Sequence, residues 1–150
     1  MKIILLLLAI ILGHISSYGQ NKNDDYKKMV DSAIVIQTMV PDKVPYRSGI
    51  YLLDGRDQAY TLTSDTHQKK FSYMNVYDKG SKSLLRKGVE AWKVLPVLSG
   101  NKLIVKIICY NITYKKYNYN FANAGGATVI FEYSCEKDTW IFKETKWIGI

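Results

Sequence analysis

A run of aromatic and basic residues is the part of the sequence best suited to bind a ligand. Residues 110–121 read YNITYKKYNYNF, in which two adjacent lysines stand among closely spaced aromatic residues. Aromatic rings stack on flat partners such as sugar rings and nucleobases, while lysines attract phosphate and other anionic groups. The spacing therefore predicts a ligand-binding segment, with the candidate residues Tyr114, Lys115, Lys116, Tyr117, Tyr119 and Phe121.

The composition of the chain limits the partners of this segment. The protein is basic, with a formal net charge of +8, and lysine outnumbers arginine eighteen to three. Proteins that read nucleic acid depend on the bidentate contacts of arginine, so we predict no nucleic-acid partner. A glycan, another envelope component or another exported protein fits better. The abundance of lysine and tyrosine is also consistent with a compositional bias that has no functional meaning.

An imidazole and neighbouring carboxylates form a second candidate site. His67 lies two residues after Asp65 in a polar stretch, and a histidine oriented by a carboxylate can transfer protons. Glu144 is a further candidate, because alternation along its strand predicts that it faces aromatic side chains, which would perturb its pKa. The opposing interpretation is a solvated histidine on a loop and a glutamate at the rim of the sheet. No nucleophile or oxyanion site accompanies these residues in the sequence, so we predict no catalytic set.

Cysteine and histidine are too few for a metal cage. His14 lies in the predicted leader, so two cysteines and one histidine remain, where a structural zinc site uses four ligands. The acidic turn at Asp54 and Asp57 lacks the ligand count of a calcium loop. Cys109 and Cys135 fall on strands predicted to be adjacent, where the alternatives are a disulfide and two small buried side chains. The sequence predicts neither a metal nor a cofactor.

The first nineteen residues have the composition of an export signal. Lys2 provides a positive charge, residues 3–12 are an unbroken apolar run, and Gln20 follows the predicted cleavage site. A membrane-spanning helix needs about 20 apolar residues, so this shorter run favours a cleaved signal peptide over an anchor. We predict a signal peptide over 1–19 and a single domain over 20–150. The mature protein is expected to be secreted or periplasmic, without a membrane span.

The hydrophobic pattern predicts one helix and several strands that position these candidates. Apolar residues recur at three-and-four spacing over 24–39, as on one face of an amphipathic helix, and Pro41 ends it. Shorter extended segments are predicted over 49–53, 59–63 and 71–77, with one helical turn at 83–86.

The last sixty residues predict an antiparallel meander. Its strands are expected over 90–98, 103–114, 127–136 and 139–147. A hairpin turn at 99–102 joins the first two strands, and an open loop over 115–126 joins the second to the third. A tight turn then places Glu132 opposite Lys143, which gives one pair of opposite charges.

Together these elements predict an α+β domain in which an N-terminal helix packs on a curved antiparallel sheet. The arrangement is similar, by analogy, to cystatin-like or NTF2-like folds, and such a fold does not fix a function. The lack of a complete catalytic set and the Tyr/Lys segment favour a small exported, non-enzymatic binding module of the cell envelope or extracellular space. The alternative is a small hydrolase or isomerase that uses His67 with a nearby carboxylate in a cone-shaped pocket.

Overall fold

The computed structural model describes residues 25–39, 49–63 and 70–149 of the chain. The predicted signal peptide lies outside these residues, as do Asp65 and His67. The described residues combine helix with a six-stranded sheet, so the fold is α+β.

Helix α1 spans residues 25–37 and presents one buried stripe to the sheet. Val30, Ala33, Ile34 and Gln37 are buried, at the i, i+3, i+4 and i+7 spacing of one helix face. The three apolar members of this stripe belong to the larger of the two core clusters. None of the helices within the described ranges has the length and apolar character needed to cross a membrane.

Six strands form one mixed sheet in the order β2-β1-β3-β4-β5-β6. β1 runs parallel to both β2 and β3, whereas the other neighbours are antiparallel. The prediction of a wholly antiparallel sheet is therefore wrong on the β1 side. Residues 54–88 between β1 and β3 are long enough for the crossover that a parallel pair requires. The strands are β1 (Ile50–Leu53), β2 (Phe71–Ser72), β3 (Val89–Ser99), β4 (Lys102–Lys115), β5 (Asn118–Ser134) and β6 (Thr139–Ile148).

The segments between β1 and β3 form less strand than the pattern predicted. Residues 59–63 contribute a single bridge, between Leu53 and Ala59. Of the strand predicted over 71–77, only the two residues of β2 pair. The predicted helical turn is present as α2, Ser81–Leu85. Hydrogen bonds to side chains replace strand pairing here, as between Ala59 N–H and Asn75 Oδ1 at 2.9 Å.

Pro96 lies where β3 is an edge of the sheet. Because proline has no N–H to donate, the sequence predicts an edge or a bulge at this position. β3 pairs with β1 only over residues 91–93. Farther along, Pro96 has only β4 as a paired neighbour, opposite Val105. The predicted edge is therefore confirmed for this part of β3, and the predicted hairpin turn at 99–102 joins it to β4.

A bulge interrupts the regular β4–β5 pairing at Gly125 and Gly126. Their φ angles are 97° and 151°, and a β-carbon at Gly126 would collide with the carbonyl oxygen of Ile107. Glycine is therefore required for the two backbones to approach this closely. Beyond the bulge, residues 118–123 of β5 pair with β4 alone, because β6 pairs only from Gly126 onward. We call residues 110–123, the part of the β4–β5 hairpin beyond this bulge, the hairpin arm.

The two faces of the sheet carry two separate apolar clusters. The first lies under α1 and includes Trp92 and Leu103, which are almost wholly buried. The second includes Leu85 of α2 and Ile112 of the hairpin arm. Successive strand residues point to opposite faces, so Ala91 belongs to the second cluster and Trp92 to the first. One face of β4 is buried over residues 103–107 and the other over residues 112–114, so the two clusters cover different parts of the strand.

A second bulge sets the pairing of β5 with β6. Ile130 pairs with Glu144 and Phe131 with Phe142, so Lys143 is an extra residue on β6. An extra residue leaves the ladder and bends its strand. Side chains on either side of Lys143 therefore do not follow the simple alternation that the sequence pattern assumes.

The β5–β6 hairpin closes through four residues, 135–138, because Ser134 pairs with Thr139. The predicted register, in which two residues form the turn, is therefore wrong. The predicted ion pair is confirmed, since Lys143 Nζ lies 3.2 Å from Glu132 Oε2.

Candidate functional site

The candidate ligand-binding residues lie on a β-hairpin rather than on an open loop. Lys115 pairs with Asn118 across a two-residue turn, and the turn residues Lys116 and Tyr117 have φ of 50° and 66°. Two positive φ angles are typical of a type I′ turn, whose twist matches that of the flanking strands. The predicted loop over 115–126 is therefore wrong, because strand pairing holds the backbone of these residues.

The tip of the hairpin arm exposes one aromatic ring beside two lysines. Tyr117 is 91% exposed, and Lys115 and Lys116 are exposed as well. Because strand pairing already fixes the backbone of the turn, binding of a partner to Tyr117 does not include the entropic cost of ordering a loop.

The other aromatic residues of the arm pack against one another and against Tyr77. Tyr119 lies between Tyr77 and Tyr114, with ring centroids 5.0 Å and 4.8 Å from its own. Tyr110 and Phe121 form an edge-to-face pair at 5.7 Å. Tyr114 is only 7% exposed, and Tyr119 and Phe121 are half-buried. These rings, three of which the sequence placed among the ligand-binding residues, mainly stabilise the arm.

A basic segment lies alongside the hairpin arm. Leu85 of α2 is buried in the second cluster together with Tyr114, and Lys82 Nζ lies over the Tyr114 ring, 5.2 Å from its centroid. Just after α2, a β-carbon at Gly88 would be 3.5 Å from Thr113 on β4. This packing places Lys82, and Lys87 next to Gly88, alongside the hairpin arm whose tip carries Lys115 and Lys116, a proximity that sequence separation concealed.

Six cations gather in these two segments without an acidic residue. Residues 79–88 and 110–121 contain no aspartate or glutamate. Five of the cations are exposed, and Lys82 is half-buried. Charges clustered in this way attract an anionic partner, at physiological salt over a range of about 8 Å. Together with Tyr117 we call these residues the basic surface: Lys79, Lys82, Arg86, Lys87, Lys115 and Lys116.

The turn after β1 supports the ring of Tyr77. Asp57 accepts hydrogen bonds from Lys93 Nζ at 2.7 Å and from the Tyr77 hydroxyl at 3.1 Å. Burial, followed by the negative charge of Asp57, raises the pKa of Tyr77, so its hydroxyl stays protonated. Asp54 Oδ1 accepts the backbone N–H of Arg56 at 2.8 Å. The Asp54 carboxylate thus stabilises the turn itself, whereas the Asp57 carboxylate joins the turn to β3 and to Tyr77.

Asp31 on α1 is the centre of a polar cluster that the sequence analysis missed. Its Oδ1 accepts hydrogen bonds from Lys27 Nζ at 2.6 Å and from the Tyr60 hydroxyl at 2.7 Å. Its Oδ2 accepts the backbone N–H of Thr63 at 2.8 Å. Lys27 also donates to the carbonyl oxygen of Thr61 at 2.8 Å. The i,i+4 spacing of Lys27 and Asp31 was the available sequence signal.

The protonation states of this cluster favour a structural role. Burial raises the pKa of Asp31, but the hydrogen bonds from Lys27, Thr63 and Tyr60 outweigh it and hold that pKa below its usual range. Burial, followed by the hydrogen bond to Asp31, raises the pKa of Tyr60 well above its ordinary value. A carboxylate that is ionised and fully hydrogen-bonded is a poor proton acceptor. The cluster therefore fastens α1 to the segment that follows β1.

Neither alternative for the cysteines holds, because Cys109 and Cys135 are not bridged to each other and Cys135 is exposed rather than buried. Cys109 lies at the bulge, next to the Ile108–Gly126 pair, whereas Cys135 follows the end of β5, nine residues beyond Gly126. At about 3.3 Å per residue the two are roughly 30 Å apart. A disulfide requires α-carbons about 4.4–6.8 Å apart. The prediction failed because it assumed a long loop where the chain forms a tight hairpin.

The predicted catalytic residues do not form a site within the described part of the chain. Glu144 is exposed and forms an ion pair with Lys146 at 3.1 Å. It pairs with Ile130 on the face opposite the aromatic row, so its predicted position is wrong. Asp65 and His67 lie outside the described residues, and their role stays a prediction. Among the residues described, no group of three His, Cys, Asp or Glu side chains could hold a metal ion.

An open groove of about 500 Å³ lies beside α2. Some of its polar lining residues are hydrogen-bonded to one another. Asn75 Nδ2 donates to Asp78 Oδ2 at 3.0 Å, and Ser81 Oγ donates to the carbonyl oxygen of Asn75 at 2.7 Å. Lys79 lies between the lining residues Asp78 and Gly80 in the sequence, so the groove adjoins the basic surface and has an acidic residue at its border. The lining residues are Ala59, Tyr73, Met74, Asn75, Asp78, Gly80, Ser81 and Leu84.

Comparison with models of protein families, with curated proteins and with solved structures found no match to this chain. The functional argument therefore depends on the chemistry of the basic surface itself.

Proposed function

We propose that the protein is a small exported binding module, without catalytic activity, that binds an acidic glycan of the cell envelope or extracellular space. The observation that carries this proposal is the basic surface, in which the basic segment at α2 packs against the hairpin arm that exposes Tyr117, with no acidic residue in residues 79–88 or 110–121. Net charge alone would not support it, because charges spread evenly over a surface do not define a site.

Sugar rings and acidic groups match the two kinds of side chain on this surface. The exposed ring of Tyr117 can stack on the apolar face of a sugar. The lysines act as point charges toward carboxylate or sulfate groups. Arg86 is the only arginine among the six cations, whereas base recognition favours arginine. The predicted export signal also favours a glycan over nucleic acid as the ligand, since export would carry the protein away from cellular nucleic acid.

Affinity on such a surface depends on several weak contacts acting together. An exposed pair of opposite charges contributes about 0–1 kcal/mol, so no single lysine is expected to dominate binding. A polymer that contacts the tip lysines and the α2 lysines at once gains from each of them. Binding should accordingly weaken as salt screens the charges.

Calorimetric titration of the purified protein with heparin, a sulfated polysaccharide, tests the proposal, with uncharged dextran as the comparison. We expect binding to heparin that falls with ionic strength, and no binding to dextran. The double substitution Lys115→Gln and Lys116→Gln should weaken heparin binding about tenfold. The matched control, Lys106→Gln with Lys137→Gln, removes the same charge from exposed positions elsewhere and should leave the affinity nearly unchanged.

Two results would contradict the proposal. Equal losses in the two double variants would indicate attraction to net charge rather than to the basic surface. Tighter binding to single-stranded DNA than to heparin at equal salt would exclude a glycan as the preferred ligand. Tyr117→Ala separates stacking from charge, because it should weaken binding without changing the salt dependence.

Export is part of the proposal and has its own test. We expect protein recovered from the periplasm or medium to begin at Gln20, as predicted by the composition of residues 1–19. Mass spectrometry of the recovered protein measures this directly. Cytosolic protein that retains Met1 would contradict it.

The curvature of the sheet also remains a prediction. Bulges increase local twist, and the two bulges of this sheet support a curved sheet packed on an N-terminal helix. That arrangement is similar to cystatin-like or NTF2-like folds, and an experimental structure of the whole chain tests it.

A further inference from the structure

The β6 edge of the sheet is long and partly apolar. β2 and β6 are the outer strands of the sheet that the described residues form, and β2 has two residues where β6 has ten. The outer side of an edge strand presents unpaired backbone N–H and C=O groups that can pair with another strand. Phe142 and Trp147 are each 49% exposed, and Ile148 is 60% exposed. Large exposed apolar side chains along a free edge are typical of a protein–protein contact.

The bulge at Lys143 changes which face each β6 side chain occupies. Trp140 and Trp147 lie on the same face, the one that α1 covers, because their partners on β5 are an even number of residues apart. Lys143 and Glu144 both lie on the opposite face, where Lys143 reaches Glu132. Residues seven apart in a regular strand point to opposite faces. The extra residue therefore brings the two tryptophans to one side.

We propose that two copies of the chain pair through antiparallel β6 strands, with Lys143 opposite Glu144 of the second copy. A two-fold axis perpendicular to the sheet repeats this pair of charges. The same register places Trp140 opposite Trp147 of the second copy. Side chains that lie directly opposite each other must share a face, and both pairs meet this condition because of the bulge.

The charges on β6 favour this register over its neighbours. Lysine on an edge strand normally discourages pairing with unrelated strands. Lys143 pairs with Glu132 and Glu144 pairs with Lys146 within one chain. In the proposed register Lys143 gains a second carboxylate, that of Glu144 of the second copy, so the residue that repels other strands accepts its own copy. A shift of two residues would place Lys143 opposite Lys146 of the second copy, which is a repulsive pair. Attraction between Lys143 and Glu144 of the second copy thus favours the proposed register. Repulsion between Lys143 and Lys146 of the second copy disfavours the register that is shifted by two residues.

Sedimentation velocity across roughly a hundredfold range of protein concentration tests the proposal. We expect a reversible equilibrium between monomer and dimer. Glu144→Lys places a lysine opposite Lys143, and Lys143→Glu places a glutamate opposite Glu144, so each should weaken the dimer at least about tenfold. The double substitution restores opposite charges and should recover dimerisation. Lys137→Glu makes the same charge change outside β6 and is the control that should retain the wild-type dimer.

A monomer at every concentration overturns the proposal, and so does a dimer that neither single substitution weakens. Disulfide trapping provides an independent decision if the double charge variant does not fold. In a Cys135→Ser background, Ile141→Cys combined with Lys146→Cys should cross-link two copies, because these positions face each other in the proposed register. Ile141→Cys combined with Glu144→Cys should not. Failure of the first pair to cross-link, or equal cross-linking of both, overturns the register.

Discussion

Asp57 and Lys93 form an ion pair of 2.7 Å that joins the turn after β1 to the middle of β3. Their side chains are 13% and 19% exposed, so solvent screens the pair only weakly. Asp57 has a φ of 61°, in the left-handed region that aspartate and asparagine tolerate better than most residues. The pair therefore fixes a turn residue that also holds the hydroxyl of Tyr77.

Asp57→Asn should destabilise the protein by about 2 kcal/mol, because it keeps the turn conformation but leaves the Lys93 ammonium without its countercharge. Urea denaturation at neutral pH measures the change. Asp25→Asn, which removes an exposed partner of Lys28 at 3.5 Å, is the control and should cost less than about 0.5 kcal/mol. Equal changes in the free energy of unfolding would show that the buried Asp57–Lys93 pair stabilises the protein no more than the exposed Asp25–Lys28 pair does.

Asp31 should make stability depend on pH in the acid range. Its pKa in the folded protein lies below its usual range because of the hydrogen bonds from Lys27, Thr63 and Tyr60, so the unfolded chain binds a proton first as the pH falls. The contribution is present above about pH 5 and is lost as the pH falls through the lowered pKa. Asp31→Asn cannot titrate, and the difference in unfolding free energy between wild type and variant should shrink below about pH 4. Urea titrations over this range measure it, and a difference independent of pH would contradict the assignment.

Gly126→Ala should destabilise the protein by about 3 kcal/mol or more, because the added β-carbon meets the carbonyl oxygen of Ile107 within the sheet. Thermal unfolding measures the loss. Gly80→Ala is the matched control, since Gly80 has an ordinary helical conformation and no atom within 4 Å of an added β-carbon. Comparable melting temperatures for the two variants would mean that the bulge does not require glycine.

Tyr119→Ala and Tyr117→Ala should separate packing from recognition. Tyr119 lies between two other rings, so its truncation should cost about 2 kcal/mol of stability. Tyr117 is almost fully exposed, and its truncation should leave the melting temperature within about 2 °C. Heparin titration of the Tyr117→Ala variant should show the weaker binding. A large loss of stability in that variant would place Tyr117 in the core instead.

The strands with clear alternation were predictable from sequence. β3 and β4 have apolar residues on regular positions, and Gly100 with Asn101 is a common hairpin signal. The parallel direction of β1 was not predictable, because alternation shows which residues are buried but not which way a strand runs. The register of β5 with β6 was also beyond reach, since a bulge at Lys143 leaves no mark in the hydrophobic pattern.

The hairpin turn at the tip of the candidate site was also not predictable from the sequence, which favoured a loop there. A two-residue turn usually carries Asn-Gly or Asp-Gly, and Lys116 with Tyr117 carries neither. Gly125 and Gly126 suggested the end of a loop, whereas their positive φ angles occur at a bulge within the paired hairpin. The sequence singled out the lysines of the tip, but their neighbours near Lys82 come from a segment about thirty residues earlier and were found only from the fold.

The bulge at Gly125 and Gly126 separates two parts of the β4–β5 hairpin that pack in different clusters. Residues 110–123 lie outside the buried cluster under α1, but Ile112 and Tyr114 belong to the second cluster, so only the exposed tip at Lys116 and Tyr117 can change length or sequence while the rest of the domain keeps its packing. Descendants of this chain could acquire new specificities there by small insertions between Lys116 and Tyr117. The same position is where a laboratory should graft a foreign recognition peptide.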